Sequence, residues 1–111
     1  MQNVDWMLSL AQAHSRLPAE ADVFKVYYGL RHGSMRAGLY APEHVDTQTP
    51  HKQDELYIVA SGTGDFVKNG ERIRFQAHDV LFVEAGSEHR FEHFSDDFTT
   101  WVIFWGPEGG E

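Results

Sequence analysis

Apolar and polar residues alternate with a period of two from Val23 to Trp105, and turn-forming residues break the pattern at roughly eight- to twelve-residue intervals. The alternation predicts eight strands, over 23–29, 34–41, 55–60, 65–68, 71–75, 80–83, 89–94 and 98–105. Gly33, the Ser61-Gly62-Thr63-Gly64 run, Ala85-Gly86-Ser87 and Ser95-Asp96-Asp97 mark turns, and Asn69-Gly70 is a strong type I′ hairpin signal. Many short strands with almost no helix predict an all-β fold, an antiparallel sandwich or β-barrel. Along 55–59 the alternation sends Glu55, Tyr57 and Val59 inward and Leu56 and Ile58 to the other face.

Before Val23 the period is helical. Trp6, Leu10 and Ala13 fall on one face, Asn3 offers an N-cap, Asp5 suits the first turn and Pro18 ends the segment, which predicts a short helix over 3–15. The expected organisation is an N-terminal helical extension (1–18), a β-barrel (19–105) and a flexible tail (106–111) too rich in glycine to hold itself.

The chain has 111 residues, which suits one domain with one core. It has no cysteine, so thiolate metal sites, thiol nucleophiles and disulfide staples are excluded. Residues 1–42 carry four basic and three acidic side chains, whereas 43–111 carry five basic and fourteen acidic ones. That acidity repels phosphate backbones and argues against nucleic-acid binding. No apolar run is long enough to span a bilayer and no secretory signal is visible, so a cytoplasmic protein with no membrane partner is expected.

The candidate chemistry begins at His51 and Glu55, separated by Lys52-Gln53-Asp54. If that link turns, both side chains enter one cavity, and His89 can join them from a later strand. Two imidazoles and one carboxylate with open positions suit non-haem Fe(II) and are compatible with Mn, Ni or Zn. The alternative is a metal-free polar pocket whose members bond one another. His89, Phe91 and His93 share a strand face, but four residues of strand span roughly 13 Å, so His93 reads as a pocket residue and not a second ligand. Phe91 belongs either to the core or to the cavity wall; Tyr57 lies beside Glu55 by parity. Gly62-Thr63-Gly64 lacks a third glycine and a following helix, so it is a hairpin turn and not a nucleotide loop.

These residues carry a resemblance. The stretch from His51 to His93 resembles the cupin superfamily in its small single-domain form. That family's first motif has two histidines one residue apart, then a glutamate and a glycine; Thr49, His51, Glu55 and Gly62 stand at those places. Its second motif runs glycine, proline, glycine, histidine, asparagine, where this chain has His78, Glu84, Gly86, His89 and His93. Thr49 thus replaces one ligand and becomes a cavity-lining hydroxyl. The resemblance implies a jelly-roll barrel (double-stranded β-helix) that often pairs as a homodimer. It also implies a divalent metal (Fe, Mn, Ni or Zn) on His51, Glu55 and His89, and a pocket with Thr49, Tyr57, Phe91 and His93 that takes a small-molecule ligand or substrate. Cupins include dioxygenases, isomerases, decarboxylases, epimerases and binding proteins, so the fold names no reaction. Two functions stay open: a metalloprotein acting on a small organic molecule, and a metal-free binding or sensing module.

Overall fold

A computed structural model describes residues 4–18 and 25–111. It contains one helix, α1 (Leu10–Ser15), and eight strands: β1 (Val26–His32), β2 (Met35–Tyr40), β3 (Asp54–Ser61), β4 (Thr63–Lys68), β5 (Glu71–Gln76), β6 (Val80–Val83), β7 (His89–Glu92) and β8 (Thr99–Trp105). All pairings are antiparallel. One sheet has the order β1-β2-β8-β3-β6 and the other β5-β4-β7, so the jelly-roll barrel is flattened into two facing sheets. The outer strands of the larger sheet are β1 and β6, and Val80 and Phe82 on β6 are exposed.

The alternation that predicts the strands also builds the core. On β3, Glu55, Tyr57 and Val59 are buried, with exposures of 1%, 1% and 0%. Their neighbours across the core come from the smaller sheet: the Tyr57 ring meets Phe66 at 5.8 Å and Phe91 at 4.9 Å, both edge-on. Phe75, Phe98, Val102 and Phe104 belong to the same cluster. Gly38 permits the close approach of β1 to β2, since a Cβ there would lie 2.1 Å from the Tyr27 carbonyl oxygen.

The helix is shorter than its predicted span. Asn3 and the start of the first predicted strand, Val23 and Phe24, lie outside the described residues. The cap is Ser9, whose hydroxyl accepts from the Gln12 N–H at 3.1 Å. Leu8, just before that cap, lies against Gly29 of β1, where an added Cβ would come within 2.6 Å of it. Trp6 is 76% exposed and anchors nothing. The tail departs from expectation as well. Too glycine-rich to hold itself, it is held by others: the Gly106 N–H donates to Ser34 Oγ (2.9 Å), Gly109 N–H to the Lys52 carbonyl (2.7 Å) and Glu111 N–H to Asp54 Oδ2 (3.1 Å).

At Asn69-Gly70 both residues have positive φ, 50° and 84°, as a type I′ turn requires. His78 (φ 78°) and His93 (φ 49°) are also left-handed, and they stand where the second motif has glycine and asparagine. The turn geometry is therefore kept while the residue suited to it is not. A left-handed non-glycine residue costs about 1–3 kcal/mol, partly offset by the extra freedom that glycine gives the unfolded chain. His78 is exposed, and its backbone N–H bond to the Val59 carbonyl survives substitution. His78→Gly is expected to stabilise the fold by roughly 0.5–1 kcal/mol in urea denaturation. An unchanged or lowered midpoint would show that the imidazole itself contributes.

Candidate metal centre

His51 closes the loop before β3, Glu55 is the second residue of β3, and His89 opens β7. The larger sheet thus supplies the carboxylate and the smaller sheet one imidazole. The loop is tied down on both sides: the His51 carbonyl accepts from Gly86 N–H at 2.8 Å, and the Lys52 carbonyl from the tail. Gly86 takes φ 84° at that contact. One donor atom each from His51, Glu55 and His89 lies within 4.8 Å of the other two.

The innermost contact has an unusual character. His89 Nδ1 lies 2.9 Å from the Ser87 carbonyl oxygen, which can only accept, so Nδ1 carries the proton. In neutral His89 this leaves a lone pair on Nε2, and that atom lies 3.0 Å from Glu55 Oε1. The two are off a hydrogen-bonding line, and among the described residues neither atom has a hydrogen-bond partner. Two buried acceptors facing each other across 3.0 Å are unfavourable unless something positive joins them. A proton is one answer. Burial presses the His89 pKa down, but Glu55 and the Ser87 carbonyl outweigh it and raise the value above 6.5. A cation is the other.

His51 behaves differently. Burial lowers its pKa, with help from His89 and Arg36 and against Glu55 and Asp46, so near neutrality the ring keeps a lone pair. Its Nε2 lies 3.9 Å from Glu55 Oε2 and 3.0 Å from Gln48 Oε1.

Beside these groups is a cavity of about 260 Å³. Val26, Tyr28, Val102 and Phe104 form its apolar wall, while Gln48, Thr49, His51, Glu55, Tyr40 and Tyr57 supply polar atoms. Arg36 braces the wall from behind, its guanidinium 4.2 Å from the Phe104 ring centre. Tyr57 keeps its proton, since burial and then Glu55 raise its pKa, and its hydroxyl donates to Gln48 Oε1 at 3.0 Å.

Of the residues expected in this site, His51, Glu55 and His89 converge, and Thr49 and Tyr57 line the cavity. Thr49 sits at the exposed rim. Two expected pocket residues are placed elsewhere. Phe91 is 1% exposed in the aromatic core, where it packs on Tyr57 and Phe66 and takes no part in the cavity lining. His93 lies past the end of β7, where its positive φ turns the chain outward; its ring is 73% exposed and reaches Asp65 at 3.1 Å on the outer surface. Two residues were missed. Asp46 and Gln48 belong to the polar stretch between β2 and β3, yet Asp46 is only 5% exposed and accepts four hydrogen bonds. The available signal was their two-residue spacing, which puts both on one side of an extended segment.

Residues 38–105 match the family model described as a cupin domain. An uncharacterised protein of Streptomyces coelicolor is 40% identical over 81 residues, spanning 71% of this chain and 77% of that protein. A cupin 2 conserved barrel domain protein from Salinispora arenicola superposes with a TM-score of 0.69 at 20% identity, over 94% of this chain and 91% of that one. KdgF from a Halomonas species superposes with a TM-score of 0.68 at 15% identity, over 83% and 88% of the two chains. At such identities the superpositions speak for the fold alone.

Proposed function

Since this chain belongs to the cupin domain family, a fold that fits many chemistries and dictates none, we propose that it binds a divalent cation through His51, Glu55 and His89. The adjoining cavity takes a small organic molecule. The observation that carries this reading is the buried pair of unpartnered acceptors, Glu55 Oε1 and His89 Nε2. A proton joins the two atoms only while His89 is charged, and above its titration the contact is left without a donor. A cation satisfies both atoms at once, and the carboxylate supplies the charge that makes its burial affordable.

When bound, such an ion polarises an oxygen of its ligand as a Lewis acid. The protein's own groups do the rest. The Ser87 carbonyl fixes the His89 ring through Nδ1, which is how metal-binding histidines are usually oriented. Depression of the His51 pKa keeps that ring neutral and able to donate electrons. Tyr28, Val26, Val102 and Phe104 cover the apolar body of the ligand and exclude water from its polar end. The volume is just under the roughly 300–1,000 Å³ of sites for drug-sized ligands, so the occupant is a small metabolite bearing an oxygen donor. Tyr57 is not a free acid here, because its proton is already committed to Gln48.

Isothermal titration of tag-free, chelator-stripped protein with Mn²⁺ and Zn²⁺ tests the reading. Near-stoichiometric binding is expected, with a metal-dependent rise in unfolding stability of about 2.7 kcal/mol at a hundredfold excess over the Kd. His51→Ala and His89→Ala should abolish both effects. A wild-type protein that takes up neither ion would sink the proposal. If small metabolites then still raised its melting temperature, the metal-free binding module would be the right description.

A further inference from the structure

Resting on the metal reading just proposed, we propose that Gln48 is a fourth protein ligand and that Asp46 is the residue that positions it. Gln48 is reached from its own network of contacts and from no motif. Its side-chain Nε2 donates to Asp46 Oδ2 at 2.6 Å, and its backbone N–H donates to Asp46 Oδ1 at 3.1 Å. Asp46 is itself held by the Tyr40 hydroxyl at 2.7 Å and the Phe91 backbone N–H at 2.8 Å.

This arrangement fixes the polarity of the Gln48 amide. Reversing it would set a carbonyl oxygen against the Asp46 carboxylate in a buried place, two acceptors without a proton between them. The oxygen is therefore the atom turned toward the cavity. There it accepts from the Tyr57 hydroxyl at 3.0 Å and lies 3.0 Å from His51 Nε2. A carbonyl oxygen has two lone pairs, one of which Tyr57 uses. The other faces the nitrogen through which His51 would hold a cation. In the metal-free protein the His51 Nε2–H can donate to it; once that nitrogen is committed to an ion, the freed lone pair is beside the same ion.

Thr49, whose position corresponds to a ligand in the resemblance pattern, offers only a neutral hydroxyl at the exposed rim. Gln48 therefore restores a fourth donor from the neighbouring position. The resulting set has two imidazole nitrogens, one carboxylate oxygen and one amide oxygen. Oxygen donors of that kind move preference toward harder ions, Mn²⁺ over the softer members of the series.

The test titrates the full chain with Co²⁺ and records both affinity and the visible d–d absorption bands. Wild-type protein and Thr47→Ala, an exposed neighbour, should bind alike. Gln48→Ala should weaken binding at least about tenfold and change the band positions and intensities, because a ligand has been lost. Asp46→Asn should weaken binding about tenfold while keeping the wild-type spectrum. Should Gln48→Ala not fold, Gln48→Leu keeps more of the side-chain volume, brings no donor atom and carries the same expectation. Weaker binding with an unchanged Gln48→Ala spectrum would overturn ligation, as would unchanged affinity. A wild-type chain that binds no Co²⁺ would remove the metal reading itself, a failure distinguishable from that of Gln48 alone.

Discussion

Replacing Phe91 by alanine is expected to cost about 3–5 kcal/mol, the range for deleting a fully buried aromatic ring. The ring sits among five others, with centroid distances of 4.8 Å to Phe98, 4.9 Å to Tyr57 and Phe66, 5.5 Å to Phe75 and 6.4 Å to Tyr40. These neighbours come from strands β2 to β5 and the residue just before β8, so no single element can relax to fill the hole. A domain of this size has about 5–15 kcal/mol in total, so the variant would lie near the edge of folding. Urea unfolding followed by tryptophan fluorescence gives the number. Phe91→Leu, which keeps most of the volume, should cost clearly less. A loss under about 1 kcal/mol for the alanine variant would show that the two sheets do not depend on this ring.

Glu55→Gln is expected to act in two opposite directions. Metal affinity should fall at least about a hundredfold, because an anionic ligand becomes a neutral one at the centre of the set. The metal-free protein should become more stable at alkaline pH by about 1–3 kcal/mol, since the new amide can donate to His89 Nε2 and satisfy both orphaned atoms. The gain depends on pH through His89. Its folded pKa is raised above 6.5, so the protonated pair with Glu55 contributes stability that is fully present below pH 6.5 and lost as pH rises through the folded value. His51, whose folded pKa is lowered, has the opposite sign: its contribution is present above pH 6.5 and lost as pH falls through its folded value. The advantage of Glu55→Gln should thus be largest above the His89 titration and shrink below pH 6.5. Denaturation of both metal-free proteins between pH 5 and pH 9 would show it. A constant difference across that range would mean that Glu55 and His89 do not share a proton.

How much of this could be read in advance depends on how local the cause was. Strand alternation is local: every one of the eight predicted strands is present, the boundaries shift by at most a few residues, and Glu55, Tyr57 and Val59 all face inward. The convergence of His51, Glu55 and His89 needed the loop before β3 and the turn at Gly86, both marked by spacing. What parity could not reach was set by contacts distant in sequence. Asp46 is buried with Tyr40, Gln48 and the Phe91 amide all donating to it, and its spacing from Gln48 indicates a shared side of the segment but not these distant donors. His93 shares the parity of His89, but the strand ends at Glu92 and a positive φ breaks the alternation. The helix is shorter than the spacing of Trp6, Leu10 and Ala13 predicts: Ser9 caps it, and Leu8 just before that cap lies against Gly29 of β1.

The grip of the tail on the loop before β3 gives the site an external reporter. The amide of Gly109 is held by the carbonyl next to His51, and that of Glu111 by the side chain next to Glu55. Neither amide touches the cavity, yet each exchanges only when its bond to the segment carrying those two residues is broken. A cation that restrains that segment is therefore expected to lower the deuterium uptake of a peptide from the far end of the chain.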